Sequence, residues 1–274
     1  MLSPFLNQLA AGCLGMLALC RTDQVSWKYF RLIGRVALCL CAAALTLDLL
    51  DARGASMGRT FSLIAGFPSI ALTGVLLGIN AFQREPARPI QRLIAAAASI
   101  AALVAAFHAS LPAQAGNAPR AAAELVGTML IPPALACCGQ IIGGAAAIGG
   151  ATAAMLLGHA YLTHTSMPID PLRRLAGAWA GVIALRWLWT AAVLMDGRAA
   201  LQISGGDDLW LWLMLSVRAG VGLIGGAAMA YMAWDCVKRR STQSATGILY
   251  IAMVLTFLGE LSAAELGRTF GLWV

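Results

Sequence analysis

The sequence predicts an all-α fold: a polytopic transmembrane helix bundle of about eight spanning helices, with both termini on the periplasmic side. Three observations predict it. Hydrophobic residues make up 60% of the 274 residues, against roughly 45–50% in soluble domains. Charged residues make up 11%, against about 25%, which is too few to cover a soluble globule of this size. The mean hydropathy is +0.78, and the apolar residues fall into separate runs of spanning length. The same numbers exclude a disordered chain, which needs low hydrophobicity and high net charge. Residues 1–274 are expected to form a single integral membrane domain.

A spanning helix needs about 20 mostly apolar residues, and eight stretches qualify. The first is 2–20. No Lys or Arg precedes Arg21, so the basic leader of a signal peptide is missing and the stretch is expected to be a retained helix. The second is 30–50 and the third 61–82. The polar break Gln83 to Pro89 separates the third from the fourth, 91–111. Pro112 to Arg120 follows. The region Ala123 to Thr163 is harder, because one straight helix would be about 60 Å long, twice the hydrocarbon core. Two crossings would spoil the charge alternation. The expectation is one crossing, 134–163, preceded by a short interfacial or re-entrant segment and broken at Pro132-Pro133, since proline removes a helix donor. Thr165 to Arg174 leads to the sixth stretch, 175–195. Asp196 to Asp208 leads to the seventh, 209–235, and Lys238 to Gln243 to the eighth, 244–266.

Charge sets the orientation. Arg21, Lys28, Arg31, Arg35, Arg84, Arg88, Arg92, Arg173, Arg174, Lys238, Arg239 and Arg240 fall on one side, which is twelve. Arg53, Arg59, Arg120, Arg198 and Arg268 fall on the other, which is five. The richer side should be cytoplasmic, as in a bacterial inner membrane. The net charge of +7 and pI near 9.4 then reflect membrane orientation, and no nucleic-acid partner is expected. The expected partners are the lipid bilayer and other subunits of a membrane complex.

The seven cysteines lie mostly in apolar runs, where Cys acts as a small hydrophobe. Cys39-Leu40-Cys41 and Cys137-Cys138 lack CxxC spacing, so no metal site is expected. Neither GxxxxGK[ST], HExxH nor GxSxG occurs. Gly143-Gly144, Gly149-Gly150 and the pair Gly222/Gly226 supply small residues for close helix packing, or for a groove holding a flat ligand. Seven of the eight tryptophans, Trp179, Trp187, Trp189, Trp210, Trp212, Trp234 and Trp273, mostly suit interfacial belts. Trp187 and Trp189 are deeper and could wall a ring.

Ionisable groups inside a membrane are costly and are functional candidates. Four fall in the middle or outer half of the bilayer: His108, Arg186, Arg218 and Glu260. Arg218 and Glu260 lie at similar depth on consecutive helices, so they are the natural ion pair. That pair is either structural or the edge of a quinone pocket, with His108 or Glu260 exchanging protons. His159 and His164 sit at the inner end of the fifth stretch, about 140° apart around a helix, and His108 is outer. No two histidines therefore face one iron, and no haem is expected.

Phe257-Leu258-Gly259-Glu260-Leu261, followed by Gly267-Arg268, resembles the last helix of the eight-helix membrane anchor subunits of dimethyl sulfoxide reductase and related NrfD-type proteins. In those anchors a Gly-Glu-Leu is followed closely by Gly-Arg. The spacing here is longer by Ser262 to Leu266. The size, helix number, outward termini and an arginine in helix 7, here Arg218, are also similar. The Gly-rich fifth stretch and Gly158-His159-Ala160-Tyr161 depart from the family. The resemblance implies a quinone-reactive anchor without its own haem, passing electrons to or from an iron–sulfur partner on the outer face. The alternatives are a small-solute or ion transporter using Arg186, Arg218 and Glu260, and a purely structural subunit of a larger assembly.

Overall fold

The computed structural model describes residues 2–19, 27–51, 57–82, 88–110, 131–163, 168–195 and 209–274. All regular structure among them is helical. In chain order the helices are α1 (Leu2–Leu19), α2 (Trp27–Asp51), α3 (Met57–Phe82), α4 (Arg88–Ser110), α5 (Pro133–Thr163), α6 (Asp170–Met195), α7 (Leu209–Lys238) and α8 (Thr242–Phe270). Seven of them are long and apolar enough to cross a membrane, and α3 contributes a shorter apolar stretch, Gly66–Leu77. The chain is a multi-pass membrane protein.

Most helices run past their apolar stretches by a few residues. Asp170-Pro171 opens α6 five residues before the sequence turns apolar. An acid in the first turn complements the helix dipole, and proline at the start costs no hydrogen bond. Helix α5 begins at Pro133, where the sequence places its break. The interfacial segment expected before Ile131 lies outside the described residues, as do His164 and most of the polar connections.

The helices pack as two rings of four. Helices α1, α2, α3 and α4 contact in cyclic order, and α5, α6, α7 and α8 do the same. The rings meet along α1 and α5, which are the most buried spans. No sequence repeat announces this division. The joint is made by glycine: a Cβ on Gly149 would lie 2.3 Å from the Gly12 Cα, so the two backbones touch there. Lipid is as apolar as leucine, so helices associate through small residues and large apolar side chains turn outward. The interior accordingly holds Ala147, Ala151, Ala154 and Cys13, while Leu50, Leu93, Leu188 and Leu209 are exposed.

Trp179 and Trp273 depart from the expected interfacial belts. Trp179 is fully buried between α6 and α5, beside Gly150, and Trp273 is buried against Gly267. The second placement follows from Gly271, which ends α8 in the left-handed region at φ 69°. Only glycine adopts that conformation without strain. The amides of Gly271 and Leu272 both donate to the Leu266 oxygen. The chain thus folds back and carries Trp273 and Val274 into the second ring.

Candidate functional site

Glu260 of α8 is the centre of a buried polar cluster inside the second ring. Arg186 of α6 holds it in a two-point grip: Nε donates to Oε1 at 3.0 Å and Nη2 to Oε2 at 2.8 Å. Arg218 of α7 donates from Nη1 to Oε1 at 2.7 Å. All three side chains are 2–3% exposed. The forked geometry of guanidinium on carboxylate is the strongest hydrogen-bonded ion pair available to side chains.

Further polar groups complete the cluster. Gln140 of α5 donates from Nε2 to Glu260 Oε2 at 3.3 Å and accepts from Arg186 Nη2. Arg186 Nη2 also reaches the Val274 backbone oxygen at 3.0 Å. Arg218 Nη2 donates to Thr190 Oγ1 at 3.3 Å. Gln8 of α1 approaches from the first ring: a Cβ on Gly144 would lie 3.0 Å from both Gln8 Oε1 and Glu260 Oε2. Gly143 likewise leaves space for Arg186, since a Cβ there would stand 3.0 Å from Nη1. Part of the glycine pattern in α5 therefore makes room for the cluster as well as for α1.

Local structure in α7 places Arg218. Val217–Gly225 is π-helical, between α-helical Leu209–Ser216 and Gly226–Lys238. Such wide turns are rare and occur frequently at functional sites. Trp187 Nε1 donates to the Leu223 oxygen within this segment at 3.2 Å.

Two guanidinium groups share the Glu260 carboxylate, and no other carboxylate side chain among the described residues pairs with either arginine. Two buried nitrogens, Arg186 Nη1 and Arg218 Nε, have no hydrogen-bond partner. Buried unpaired donors are expensive. The cluster can therefore accept an anion or an electron-rich carbonyl.

Three of the four residues singled out from sequence thus stand together. Arg218 meets Glu260 as the depth comparison expected, and Arg186 joins them. His108 does not. It lies on α4, with Nδ1 2.8 Å from the Val104 oxygen and its ring against Phe107. His159 stands apart as well, 3.3 Å from Tyr250 Oη. Among the described residues no group of three or more His, Cys, Asp or Glu is placed to hold a metal ion. Sequence reasoning passed over Gln140, Gln8 and Thr190. The available signal was a side-chain amide in an otherwise apolar stretch: Gln140 alone in 134–163, and Asn7-Gln8 in 2–20.

No family model matches the chain, and neither a curated protein nor a solved structure matches it.

Proposed function

We propose that this protein is an integral membrane subunit of a respiratory or electron-transfer complex, and that it binds a quinone headgroup beside Arg186, Arg218 and Glu260. The observation that carries this reading is the pair of buried guanidinium groups that share one carboxylate and keep unpartnered N–H donors. A quinone carbonyl is an acceptor and matches those donors. An apolar, water-poor surrounding strengthens each such bond. Glu260 supplies a carboxylate next to the ring that holds both guanidinium groups in place. The residue at the centre of the cluster is also the one that carries the resemblance to the dimethyl sulfoxide reductase anchors. On this reading α3 is the eighth span, both termini face the periplasm of a bacterial inner membrane, and a redox subunit docks on the outer face.

Photolabelling tests it. Purified protein in lipid nanodiscs is labelled with an azidoquinone and digested. The expected result is saturable labelling of peptides from α6, α7 or α8, competed by native quinone and lost in a folded Arg218→Lys variant. Labelling that does not saturate, or that Arg218→Lys leaves unchanged, overturns the proposal.

The two buried guanidinium groups with unpartnered donors favour one other reading, passage of a small anion. Uptake of labelled anions into proteoliposomes, abolished by Arg218→Lys, would support transport in place of quinone binding.

A further inference from the structure

A groove runs along the lipid-facing surface between α6 and the α-helical half of α7. Its volume is about 670 Å³, within the range of small-molecule sites. The two helices are antiparallel here, because Gly177 packs on Trp234 at one end and Ile183 on Gly226 further along. The groove extends from Gly177 to Leu188 on α6, which at 1.5 Å per residue is about 16 Å. That is one leaflet of a hydrocarbon core about 30 Å thick. The walls are apolar throughout. Their polar tips are those of Trp187, Trp234 and Tyr231, and Trp187 Nε1 is already used on Leu223.

One end of this groove is basic. Arg173 precedes Gly177 by four residues and Lys238 follows Trp234 by four, so each lies one helical turn beyond the groove on the same helix face. The Arg173 guanidinium sits 5.7 Å from the Trp234 ring centroid, which holds the cation over the mouth. The nearby acid Asp235 is paired with Arg239 at 2.9 Å. Both Arg173 and Lys238 are exposed.

We infer that this groove seats an acyl chain of an anionic phospholipid, with the phosphate held by Arg173 and Lys238. The occupant follows from charge and length together. A zwitterionic lipid gains little from two cations at the mouth, whereas each Lys or Arg near the surface adds about fivefold to the binding of an anionic headgroup. The chain's own basic side supplies the headgroup site and the aromatic wall supplies the chain site. The site is separate from the Arg186–Glu260–Arg218 cluster, so its fate and that of the quinone reading are independent.

Native mass spectrometry of the delipidated, full-length protein tests it, titrated with phosphatidylglycerol and with phosphatidylcholine of identical chains. We expect phosphatidylglycerol to be retained at least about tenfold better for the tightest adduct. Arg173→Gln with Lys238→Gln should erase that preference without changing the thermal midpoint by more than about a degree. Ala184→Phe, which fills the exposed wall of the groove, should weaken both lipids. Arg239→Gln, on the same side but outside the groove, should have no effect on the preference. Equal retention of the two lipids by the wild type overturns the inference, as does a preference that survives the double substitution.

Discussion

Gly222 of α7 and Gly259 of α8 meet backbone to backbone: a Cβ on Gly222 would lie 2.6 Å from the Gly259 Cα. This contact is what lets Arg218 reach Glu260. Gly222 is one turn from Arg218, Gly259 is adjacent to Glu260, and the Arg218 Nη1 also approaches the Gly259 oxygen at 3.5 Å. Any side chain at the crossing would force the helices apart and lengthen the ion pair.

Gly222→Ala is therefore expected to destabilise the protein by about 1–3 kcal/mol, the usual cost of overpacking. Gly220→Ala is the control, since a Cβ at Gly220 meets nothing within 4 Å, and it should be neutral or stabilising by up to about 1 kcal/mol. Thermal midpoints in a mild detergent compare the two. Equal effects would mean that the close approach is not what matters.

The bonding of the cluster predicts an asymmetry. Glu260→Gln removes the carboxylate that both buried guanidinium groups grip and should cost about 3–5 kcal/mol. Arg218→Met leaves Glu260 in its two-point grip with Arg186. It should cost less, about 1.5–3 kcal/mol for the charged hydrogen bonds lost. Thermal unfolding of the two variants checks this, and an arginine loss as severe as the glutamate loss would refute the asymmetry.

The joint between the rings is expected to be as sensitive as the Gly222–Gly259 crossing. Gly149→Leu would drive a branched side chain into the Gly12 backbone, where no rotamer avoids α1. We expect loss of the monodisperse peak in size-exclusion chromatography. Gly247→Leu on α8, where a Cβ meets nothing within 4 Å, should leave the peak intact.

Much of this was legible in the sequence because hydrocarbon is an unforgiving solvent. The spans are readable since unsatisfied backbone is excluded from lipid. Arg218 and Glu260 are readable as partners since neither is tolerable alone at that depth. The helix ends were less legible, because a helix continues into the interface, where an exposed residue such as Asp170 is solvated. The third member of the cluster, Arg186, required the rotation of α6 about its axis, which tertiary packing decides. The π-helical turn in α7 and the fold-back at Gly271 were not legible. The first meets Trp187 of the neighbouring helix at the Leu223 oxygen, and the second is a local reversal that packs Trp273 on Gly267.

Orientation can be measured directly. With the native cysteines replaced, Arg239→Cys places a thiol at an exposed position in the turn between α7 and α8. The uneven distribution of Lys and Arg predicts that this turn faces the cytoplasm. A membrane-impermeant maleimide should label it in inverted vesicles and not in intact cells. Labelling in intact cells would reverse the threading of the whole chain.

Gln140 gives the sharpest test of how the cluster is held. It already accepts from Arg186 Nη2 and donates to Glu260, so a carboxylate at position 140 would stand within reach of Arg186 but on the far side of Glu260 from Arg218. Exchanging the two groups, Gln140→Glu with Glu260→Gln, keeps the composition and the net charge of the cluster while moving its carboxylate side chain from α8 to α5. Arg186 regains a counter-ion and Arg218 does not. The double variant should therefore recover about half of the stability lost in Glu260→Gln alone. Because the two residues touch, their effects should couple by about 0.5–3 kcal/mol in a double-mutant cycle. Thermal midpoints of the wild type, both single variants and the double variant supply the cycle. Complete recovery would mean that Arg218 needs no carboxylate, and no recovery would mean that Arg186 is held by Glu260 alone and not through Gln140.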